Sequence, residues 1–511
     1  MKKYILLILV LPILFTSNLL AKSIFVKEFG IGDFTGKNWD NAINGTDLVT
    51  TLENAIQGDT IYVSEGVYNP FFSSVKWDGT TLRYNKDCSF LISKGVTLYG
   101  GFSKLSTGLN LDIHDINQYI TTFSGNMGCS PNSNHVVVFN GVLGGTLDGV
   151  VVREGFASGT SEDGKGAGVY IADSTFNVNI SNCQIIANTA AIGGAGIFVS
   201  PSAIVNINKT TICNNTCTST SYAFGGGGIS ICGSSKTSLA TQVELINSTV
   251  AFNKAATSYG GGICVYKPTS TNLQFSSYFC TINSNSAIKG GGVYADTTIL
   301  LDNVLLSGNS NGYDLVYKSS SNPNAMPYIK CNNSIIYNKK YLNNTTIDAS
   351  TSFPATLLEY LNYSTWKYLS NATPTLELVN TLTNPAINAG DIIHLNTNES
   401  QSIYIKCRIS QNNINRILQP AIGAYQPIPL TNVDNNYDSL IKCYMHNNNI
   451  RIDSPDTIST VEIFSILGVS LGKYIINQSL TDLQITTNDY FIILKIGTKS
   501  HNIIRTLLNY K

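Results

Sequence analysis

The chain has 511 residues, of which 13% are charged and 43% hydrophobic, and its 32 basic side chains are balanced by 32 acidic ones. This balance excludes the basic footprint of a nucleic-acid-binding protein or of a polybasic membrane-surface protein. Plentiful aromatic and β-branched residues argue against disorder, and the 43 glycines and 27 tyrosines favour strands and turns over helices.

Residues 1–21 have the layout of a secretory signal peptide. Two lysines precede an apolar stretch from Tyr4 to Phe15, and polar residues then lead to Ala21, where cleavage is expected. The alternative is an uncleaved anchor helix, which the short apolar run disfavours. No later segment has about 18 uninterrupted apolar residues, so no membrane span is predicted. We therefore expect an exported protein, secreted or held at the outer-membrane cell surface.

Eleven cysteines are spread through the chain without CxxC pairs or neighbouring histidines. The spacing typical of a zinc site is absent, so no metal centre is predicted. Cys213 and Cys217 are close enough in sequence to form a local disulfide. We expect most of the cysteines to be small buried residues.

Between residues 141 and 345 the sequence repeats. Five segments begin with glycine and continue as a short apolar strand, at steps of 28, 32, 34 and 30 residues. Their first residues are Gly168, Gly196, Gly228, Gly262 and Gly292. This period is typical of stacked repeat architectures. The glycine runs that open three of the segments would supply positive φ angles and close backbone approach at a tight corner.

A second strand keeps register with the first and ends in asparagine. The closing residues are Asn188, Asn215, Asn253, Asn285, Asn309 and Asn338. Three positions earlier an apolar residue recurs, from Ile185 in the first of these repeats to Leu306 and Ile335 in the last two. Gly155 fills the asparagine position in an earlier repeat. Asparagines stacked at one corner can hydrogen-bond along the stack and tolerate left-handed backbone, so we predict a structural ladder.

A stack of similar coils accounts for both patterns, because a single repeat cannot bury its own apolar face. Alternation with a period of two excludes a helical solenoid, and a propeller would need several evenly spaced strands per blade. The sequence therefore predicts an all-β fold, a parallel β-helix. We expect it to have the right-handed connection that parallel strands prefer.

These repeats resemble the right-handed parallel β-helix proteins of the pectin-lyase-like superfamily, and the Gly-Gly-Gly-Ile units are similar to those of chlamydial polymorphic outer-membrane proteins. The stretch from Ile24 to Tyr68 is similar to the start of such proteins, which implies a capping helix near Leu48 to Ile56. The resemblance implies a lead-in and cap over 22–140, regular coils over 141–345 and a closing segment over 346–430. In the closing segment, Ala421 and Gln426 stand where relatives usually carry Asp and Glu.

Residues 431–511 differ in character and resemble a C-terminal sorting domain of the type IX secretion system of Bacteroidota. The similarity rests on short apolar strands such as Val461 to Phe464 and Tyr490 to Lys495. Asn488 stands where glycine is usual, and asparagine can fill a left-handed turn. Arg505 stands where lysine is common. The resemblance implies a small β-sandwich with the type IX machinery as partner, and a sandwich that only caps or binds is the alternative.

The superfamily contains polysaccharide lyases, glycoside hydrolases and epimerases, so an active site must be sought in the residues themselves. Glycoside hydrolysis needs two carboxylates about 5–10 Å apart. Asp148 and Asp302 share one position in the repeat but lie five coils apart, roughly 24 Å. Ten carboxylates and no histidine occur between residues 140 and 350. We therefore predict no catalytic residue.

Two local groups remain as candidates. Arg153, Glu154, Glu162 and Asp163 surround a glycine-containing loop that could bind Ca²⁺ or a sugar acid; a solvated loop is the alternative. Asp112, His114 and Asp115 form the second group, which we interpret as surface pairs. No cofactor is predicted beyond this candidate Ca²⁺.

The leading functional hypothesis is a non-enzymatic adhesin or glycan-binding module. Its partner would be a polysaccharide or a host or cell-surface protein, contacted by outward aromatic residues such as Tyr170, Phe198 and Tyr294 among amide side chains. The alternative is a polysaccharide lyase or glycoside hydrolase acting on an extracellular polysaccharide. A third hypothesis is a structural spacer. No nucleic-acid partner is expected.

Overall fold

The computed structural model describes residues 20–70, 88–128, 132–220, 224–234, 239–267 and 272–310, and, with shorter gaps, parts of 313–349, 361–378, 403–426 and 442–508. Most of the predicted signal peptide, residues 1–19, lies outside these ranges. Two compact units divide between Pro427 and Ile428, three residues before the predicted boundary. The first unit is a right-handed parallel β-helix, so the predicted fold class is confirmed.

Three long parallel sheets and one short sheet build the β-helix, with strands numbered in chain order. Sheet A consists of β1 (Ser23–Lys27), β2 (Ile43–Asn44), β3 (Thr60–Ser64), β6 (Val96–Phe102), β9 (Gly145–Asp148), β13 (Val178–Ser181), β17 (Ile204–Asn208), β21 (Thr241–Ile246), β25 (Leu273–Tyr278), β29 (Ile299–Asp302), β32 (Ile329–Asn332) and β35 (Ile347–Ala349). Sheet B consists of β4 (Gly66–Tyr68), β7 (Thr121–Ser124), β10 (Val150–Arg153), β14 (Gln184–Ile186), β18 (Thr211–Cys213), β22 (Thr249–Ala251), β26 (Thr281–Asn283), β30 (Leu305–Ser307) and β33 (Ile335–Ile336).

The other two sheets complete each coil. Sheet C consists of β5 (Phe90–Ile92), β8 (Val137–Phe139), β12 (Val169–Ile171), β16 (Ile197–Val199), β20 (Ile229–Cys232), β24 (Ile263–Tyr266), β28 (Val293–Ala295), β31 (Leu315–Lys318) and β34 (Lys339–Leu342). Sheet D consists of β11 (Phe156–Ala157), β15 (Thr189–Ala190), β19 (Thr216–Cys217), β23 (Lys254–Tyr259) and β27 (Ser286–Lys289). A regular coil runs through sheets A, B, D and C in that order.

The short helices lie before and within the early coils. The helix α1 (Leu48–Asn54) buries Leu48, Val49 and Leu52 against the first coils, within the range that the resemblance implied for a capping helix. The 3-10 turns are Trp39–Asn41, Gly45–Asp47 and Glu162–Gly164. Because α1 covers apolar side chains at the start of the stack, that end needs no further coil to shield them.

The core is a column of aliphatic side chains inside the coils. Ile180, Ile207 and Leu245 are stacked in register from sheet A and are fully buried. Sheets B and C contribute equivalent columns, and all belong to one cluster. Burying one such side chain stabilises the fold by about 1.5–3 kcal/mol. Period-two alternation therefore sends one set of residues into this column and the other set outward.

Each regular coil turns twice through a left-handed residue. The first corner, between sheets A and B, has positive φ at Gly149, Asn182, Lys209, Asn247, Phe279 and Asn303. The second corner, after sheet B, has positive φ at Glu154, Ala187, Asn214, Phe252, Ser284 and Gly308. The ladder asparagines follow this second corner and are not left-handed themselves. The tolerance of asparagine for left-handed backbone is therefore not used at the ladder positions, because that conformation belongs to the preceding residue.

Five asparagines form the ladder at the second corner. The backbone N–H and the side-chain Nδ2 of Asn188 both donate to Oδ1 of Asn215, each at 3.0 Å. The same pair of bonds repeats from Asn215 to Asn253, Asn253 to Asn285 and Asn285 to Asn309, at 2.9–3.1 Å. In the three middle rungs, Nδ2 also donates to a carbonyl of the preceding coil, at 2.9 Å. Buried amides are therefore satisfied along the stack.

The last rung differs from the prediction. Asn309 donates to Oδ1 of Asp314 rather than to a further asparagine, at 2.9 and 2.7 Å. Asn338, predicted as the sixth rung, lies outside the described residues. Ile335 pairs with Leu305 and not with Leu306, so the predicted alignment of this coil was wrong by one residue. The connection from sheet B to sheet C is shorter in this coil, and Asp314, only five residues after Asn309, supplies the acceptor oxygen.

The repeated glycines leave space for the side chains of the asparagine ladder. A Cβ atom on Gly196 would lie 2.6 Å from the carbonyl oxygen of Gly228 and 3.0 Å from Nδ2 of Asn215. The equivalent position at Gly228 is as tight, with Nδ2 of Asn253 at 3.0 Å. Glycine is therefore required because the asparagine amide fills the space where a side chain would begin. Positive φ is needed two residues earlier, at positions such as Gly226.

The described part of the closing segment lies against the outer face of sheet B. Gln411 accepts a hydrogen bond from Thr249 Oγ1 at 2.6 Å and donates one to Thr211 Oγ1 at 2.8 Å. Arg416 is buried there, with its guanidinium 4.0 Å from the ring centre of Phe279. Its donors reach the carbonyl of Cys407 and Oδ1 of Asn247, at 3.1 and 3.0 Å. Two antiparallel strands also belong to this segment, β36 (Leu361–Lys367) and β37 (Thr375–Leu378).

The second unit is antiparallel throughout. Its strands are β38 (Lys442–His446), β39 (Asn449–Ser465), β40 (Ser470–Gln484), β41 (Phe491–Thr498) and β42 (Asn502–Leu508), joined in one hydrogen-bonded sheet. Ile450, Ile452, Val461 and Ile463 belong to a core of its own. The long strand β39 shifts register three times along β40, where a strand can bend.

Two further features of the described residues are the state of the cysteines and the length of the helices. Nine cysteines of the described residues are buried thiols, including Cys213 and Cys217, so the possible local disulfide between these two is not formed. Burial raises the pKa of the Cys213 thiol to about 12. Among the described residues, no helix has the length and apolar character needed to cross a bilayer.

Candidate functional site

The four residues of the predicted loop site form two separate pairs, Arg153 with Glu154 and Glu162 with Asp163. Arg153 ends a strand of sheet B and Glu154 occupies the second corner. Ser124 Oγ donates to Glu154 Oε2 at 2.5 Å, and Arg153 Nε lies 3.7 Å from the same oxygen. Among the described residues, no hydrogen bond or ion pair joins Arg153 or Glu154 to Glu162 or Asp163.

Glu162 opens a 3-10 turn and is engaged by its own neighbourhood. Lys165 Nζ donates to its Oε1 at 2.7 Å, and Tyr170 Oη donates to its Oε2 at 2.5 Å. Burial alone would raise the pKa of Glu162, but these two hydrogen bonds lower it below its ordinary value. Asp163 is exposed in the same turn. Within the described residues, no group of three or more His, Cys, Asp or Glu side chains is arranged to hold a metal. Ca²⁺ binding at this loop stays a prediction.

The second candidate group is a structured turn. Asp115 accepts hydrogen bonds from the backbone N–H groups of Asn117 and Gln118, at 2.9 and 3.4 Å. His114 contacts the carbonyl of Gly100 through Nε2 at 3.0 Å, and its ring centre lies 4.6 Å from that of Phe102. Burial lowers the pKa of His114. These contacts hold the turn together, although the hydrogen bond to Gly100 and the charge of Asp115 partly oppose the effect of burial on the pKa of His114.

The outward aromatic row of sheet C is not an open binding face. Tyr170 and Phe198 occupy neighbouring outward positions, with ring centres 6.0 Å apart. Phe198 is only 1% exposed and Tyr294 only 4%, because Lys165 lies 5.1 Å from the Phe198 ring and Tyr259 lies 4.6 Å from the Tyr294 ring. The expectation that these aromatics face a ligand was therefore wrong for Phe198 and Tyr294. Of these three aromatic residues, only Tyr170 is partly exposed to solvent.

An open groove lies on the outer face of sheet A instead. Four successive strands, β13, β17, β21 and β25, form the floor of a groove with a volume of about 270 Å³. Its lining residues are Asn177, Val178, Asn179, Ile204, Val205, Asn206, Gln242, Val243, Glu244, Gln274 and Ser276. We call it the amide groove, because amides are the commonest polar side chains in it.

Two in-register rows of side chains line its floor, and all of them except Ile204 are polar. The inner row is Asn179, Asn206, Glu244 and Ser276, one residue per coil. The outer row is Ile204, Gln242 and Gln274. Residues two apart on a strand share a face and lie about 6.6 Å apart, and successive coils lie about 4.8 Å apart. The groove therefore offers a regular lattice of donors and acceptors along the solenoid axis.

Most of these groups are available to a ligand. In the part of the chain that the structure describes, the side chains of Gln242, Gln274 and Ser276 make no hydrogen bond. Asn206 Nδ2 donates to Glu244 Oε2 at 3.1 Å. Lys406 of the closing segment lies 3.7 Å from that same oxygen. The closing segment thus reaches the groove through this ion pair.

An acid and a base with shifted pKa values lie on the same face. Asp148 is two residues beyond Thr146, which pairs with Asn179. Its carboxylate accepts from Asn182 Nδ2 at 3.0 and 3.2 Å, yet burial raises its pKa to about 6. Burial lowers the pKa of Lys209 to about 8, helped by the positive charge of Arg416, while Asp148 opposes the shift. Lys209 Nζ donates to Oδ1 of Asn413 at 2.7 Å.

The carboxylates remain too dispersed for hydrolysis. The sheet A pairings carry Asp148 through Ser181, Asn208, Ile246 and Tyr278 to Asp302, five steps that agree with the predicted separation. Glu244 lies three coils from Asp148, roughly 14 Å by strand spacing, beyond the range in which two carboxylates share one glycosidic bond. The groove is therefore suited to holding hydroxyl groups rather than to acid–base hydrolysis.

The sequence carries a signal for the amide groove beyond the two repeats of sheets B and C. Alternation with buried residues, as in half-exposed strands, occurs at Asn177, Asn179, Gln242, Glu244 and Gln274. A coil-by-coil alignment of the sheet A strands places these polar residues side by side. The partners from the closing segment could not have been found, since Lys406 is 162 residues from Glu244 in the chain.

Comparison with known proteins does not assign a function to the chain. No family model matches the chain, and no curated protein matches it. Among solved structures, the chain is similar to the crystal structure of pectate lyase Pel9A, at 10% sequence identity and a TM-score of 0.43. The match covers 81% of this chain and 98% of the other. At this level the likeness carries no argument about chemistry.

Proposed function

We propose that the protein is an exported β-helix that binds a polysaccharide non-catalytically along the amide groove. The observation that supports this is the lattice of amide, hydroxyl and carboxylate groups on four adjacent coils. An amide side chain both donates and accepts, so it can engage a sugar hydroxyl in either role. Many such contacts, each weak, give the extended recognition that an adhesin or a glycan-binding module needs.

The proposal includes export and a surface location. The signal-peptide layout of residues 1–21 supports export, and the resemblance of residues 431–511 to a sorting domain supports the type IX machinery as partner. Fractionation of cells that make the full chain tests this part. We expect processed protein beginning near Lys22 outside the inner membrane, and unprocessed cytoplasmic protein would contradict it.

Binding is tested with the full chain and a panel of neutral and acidic polysaccharides. We expect retention of at least one glycan in affinity electrophoresis, weakened about tenfold or more by Asn206→Ala or Gln242→Ala. Gln184→Ala is the matched control, because Gln184 is a half-buried outward amide on sheet B, away from the groove. Equal effects of Gln242→Ala and Gln184→Ala would contradict binding at the groove, and retention of a protein partner alone would favour protein adhesion.

A second function, a polysaccharide lyase, has one observation in its favour. Asp148 and Lys209 have pKa values moved toward neutrality, to about 6 and about 8, as proton-transfer groups often do. Incubation of the full chain with acidic polysaccharides, with and without Ca²⁺, distinguishes the two functions. Unsaturated uronate products that disappear in Lys209→Met would establish the lyase and displace the binding proposal.

A further inference from the structure

We infer that the amide groove accepts uncharged polysaccharides and discriminates against uronate polymers, and that Glu244 is the residue that enforces this. The inference rests on the proposed function and names its ligand class. Of the eleven residues that line the groove, Glu244 is the one that carries a charge. The ligand preference of the groove is therefore set by this carboxylate and by whatever neutralises it.

The position of Glu244 makes it a contact residue. It lies in the inner row between Asn206 and Ser276, on the third of the four floor strands. Its side chain is 40% exposed. A chain that follows the groove across these coils must pass over it.

Its two oxygens have different surroundings. Oε2 accepts from Asn206 Nδ2 at 3.1 Å and faces Lys406 Nζ at 3.7 Å. Oε1 has no partner in the described part of the chain. It is an acceptor that a sugar hydroxyl can satisfy by donating a hydrogen bond, whereas a uronate carboxylate has no proton to offer and carries the same charge.

The nearby cations do not offset this repulsion. Lys406 already faces Glu244. Lys209 donates to Asn413 and is attracted by the charge of Asp148. Lys406 is thus already paired with a carboxylate of the protein, and Lys209 lies outside the residues that line the groove. A ligand with one charge per sugar would have to compete with Glu244 for Lys406, whereas an uncharged ligand would not.

A peptide ligand fits the lattice less well. The rows repeat once per coil, about every 4.8 Å, whereas an extended peptide repeats its side-chain direction about every 6.6 Å. The two spacings fall out of step within two coils. An extended sugar chain, which presents hydroxyls on every ring, does not have this restriction.

The test uses polymers that differ only in charge. The full chain would be assayed by affinity electrophoresis against polygalacturonate and its fully methyl-esterified form, and against carboxymethyl- and hydroxyethyl-cellulose. We expect the protein to bind an uncharged member of at least one pair about tenfold or more tightly than its acidic partner. Glu244→Gln keeps the shape of the side chain and removes the charge. It should tighten binding of the acidic polymer by about tenfold, so the preference for the uncharged member of the pair should fall by at least that factor.

Glu53→Gln is the control, because it makes the same change at an exposed carboxylate on α1, outside the groove, and should alter neither affinity. The outcomes separate the two proposals. Binding that Asn206→Ala weakens but that favours the acidic polymer would overturn this inference and leave the proposed function standing. An unchanged preference in Glu244→Gln would do the same. If the protein bound none of the polymers, both this inference and the proposed function would be overturned.

Discussion

Asn309 donates its backbone N–H and its side-chain Nδ2 to one atom, Oδ1 of Asp314, at 2.9 and 2.7 Å. This pair of bonds repeats the geometry of the preceding rungs, but here the acceptor is a carboxyl group. Hydrogen bonds to a carboxylate are shorter and stronger than those between neutral groups. Asp314 is 1% exposed, so its replacement cannot be compensated by water.

The terminal rung should therefore contribute measurably to stability. Asp314→Ala leaves two donors of Asn309 without their acceptor, and an unsatisfied buried group costs about 1–3 kcal/mol. We expect the free energy of unfolding in urea to fall by at least about 2 kcal/mol. Asp314→Asn keeps one acceptor and should cost less. Asp163→Asn, at an exposed position, should change stability by less than about 0.5 kcal/mol, and an equal loss there would contradict the role of the rung.

The raised pKa of Asp148 predicts a loss of stability as pH rises from about 4 to about 6. In that window the folded protein still holds the proton that the unfolded chain releases, so deprotonation favours unfolding. The full contribution is about 1–3 kcal/mol. Urea unfolding across this range should show the decline in the wild type and a smaller decline in Asp148→Asn. Parallel pH profiles for the two proteins would contradict it.

The lowered pKa of Lys209 acts in the alkaline range. Between about pH 8 and the ordinary lysine value the unfolded chain holds more protons than the folded one, so stability should rise with pH through this window. Lys209→Met should remove that rise. The comparison needs only thermal unfolding midpoints between pH 8 and pH 10, with the exposed Lys254→Met as control. A rise that persists in Lys209→Met would assign the effect to another group.

The cysteines should resist modification while the protein is folded. Nine of the eleven are buried, and burial raises the pKa of Cys217 to about 11 and that of Cys280 to about 11. A thiol reagent should therefore modify at most two thiols, Cys129 and Cys443, in the native protein and all eleven after denaturation under reducing conditions. Rapid reaction of three or more native thiols would show that some of the nine are accessible.

Arg416 should hold the closing segment against sheet B. Arg416→Met removes the donors to the carbonyls of Cys407 and Gly423 and to Asn247, although it also relieves the desolvation of a buried charge. We expect amide hydrogen exchange in residues 403–426 to speed up about tenfold or more. The strands that carry the ladder should be unaffected. Uniform acceleration across the β-helix would mean that Arg416 supports the whole fold instead.

Structural features that recur once per coil could be predicted from the sequence. The ladder from Asn188 to Asn309 and the glycines beside it could be predicted, since each coil restates the same local requirement. The last coil could not, because Asp314 follows Asn309 by five residues and no earlier repeat shows that spacing. Alternation also indicated correctly that Phe198 and Tyr294 point out of the coil.

What alternation cannot indicate is whether another segment covers an outward residue. Phe198 is covered by Lys165, which lies just before β12, and Tyr294 by Tyr259, at the end of β23, and no local pattern records either contact. The same limit applies to the candidate site. The polar floor of the amide groove is local to sheet A, whereas its ion pair with Lys406 depends on a contact across 162 residues. Long-range contacts of this kind carry no sequence period.

The ladder also separates what is fixed in this molecule from what is free to change. Bonded asparagines are 27, 38, 32 and 24 residues apart in the chain, yet their N···O distances stay between 2.9 and 3.1 Å. Insertions are therefore absorbed in the surface loops without disturbing the coil spacing. Such a frame tolerates grafted loops of very different length, so new recognition surfaces can arise around an unchanged interior.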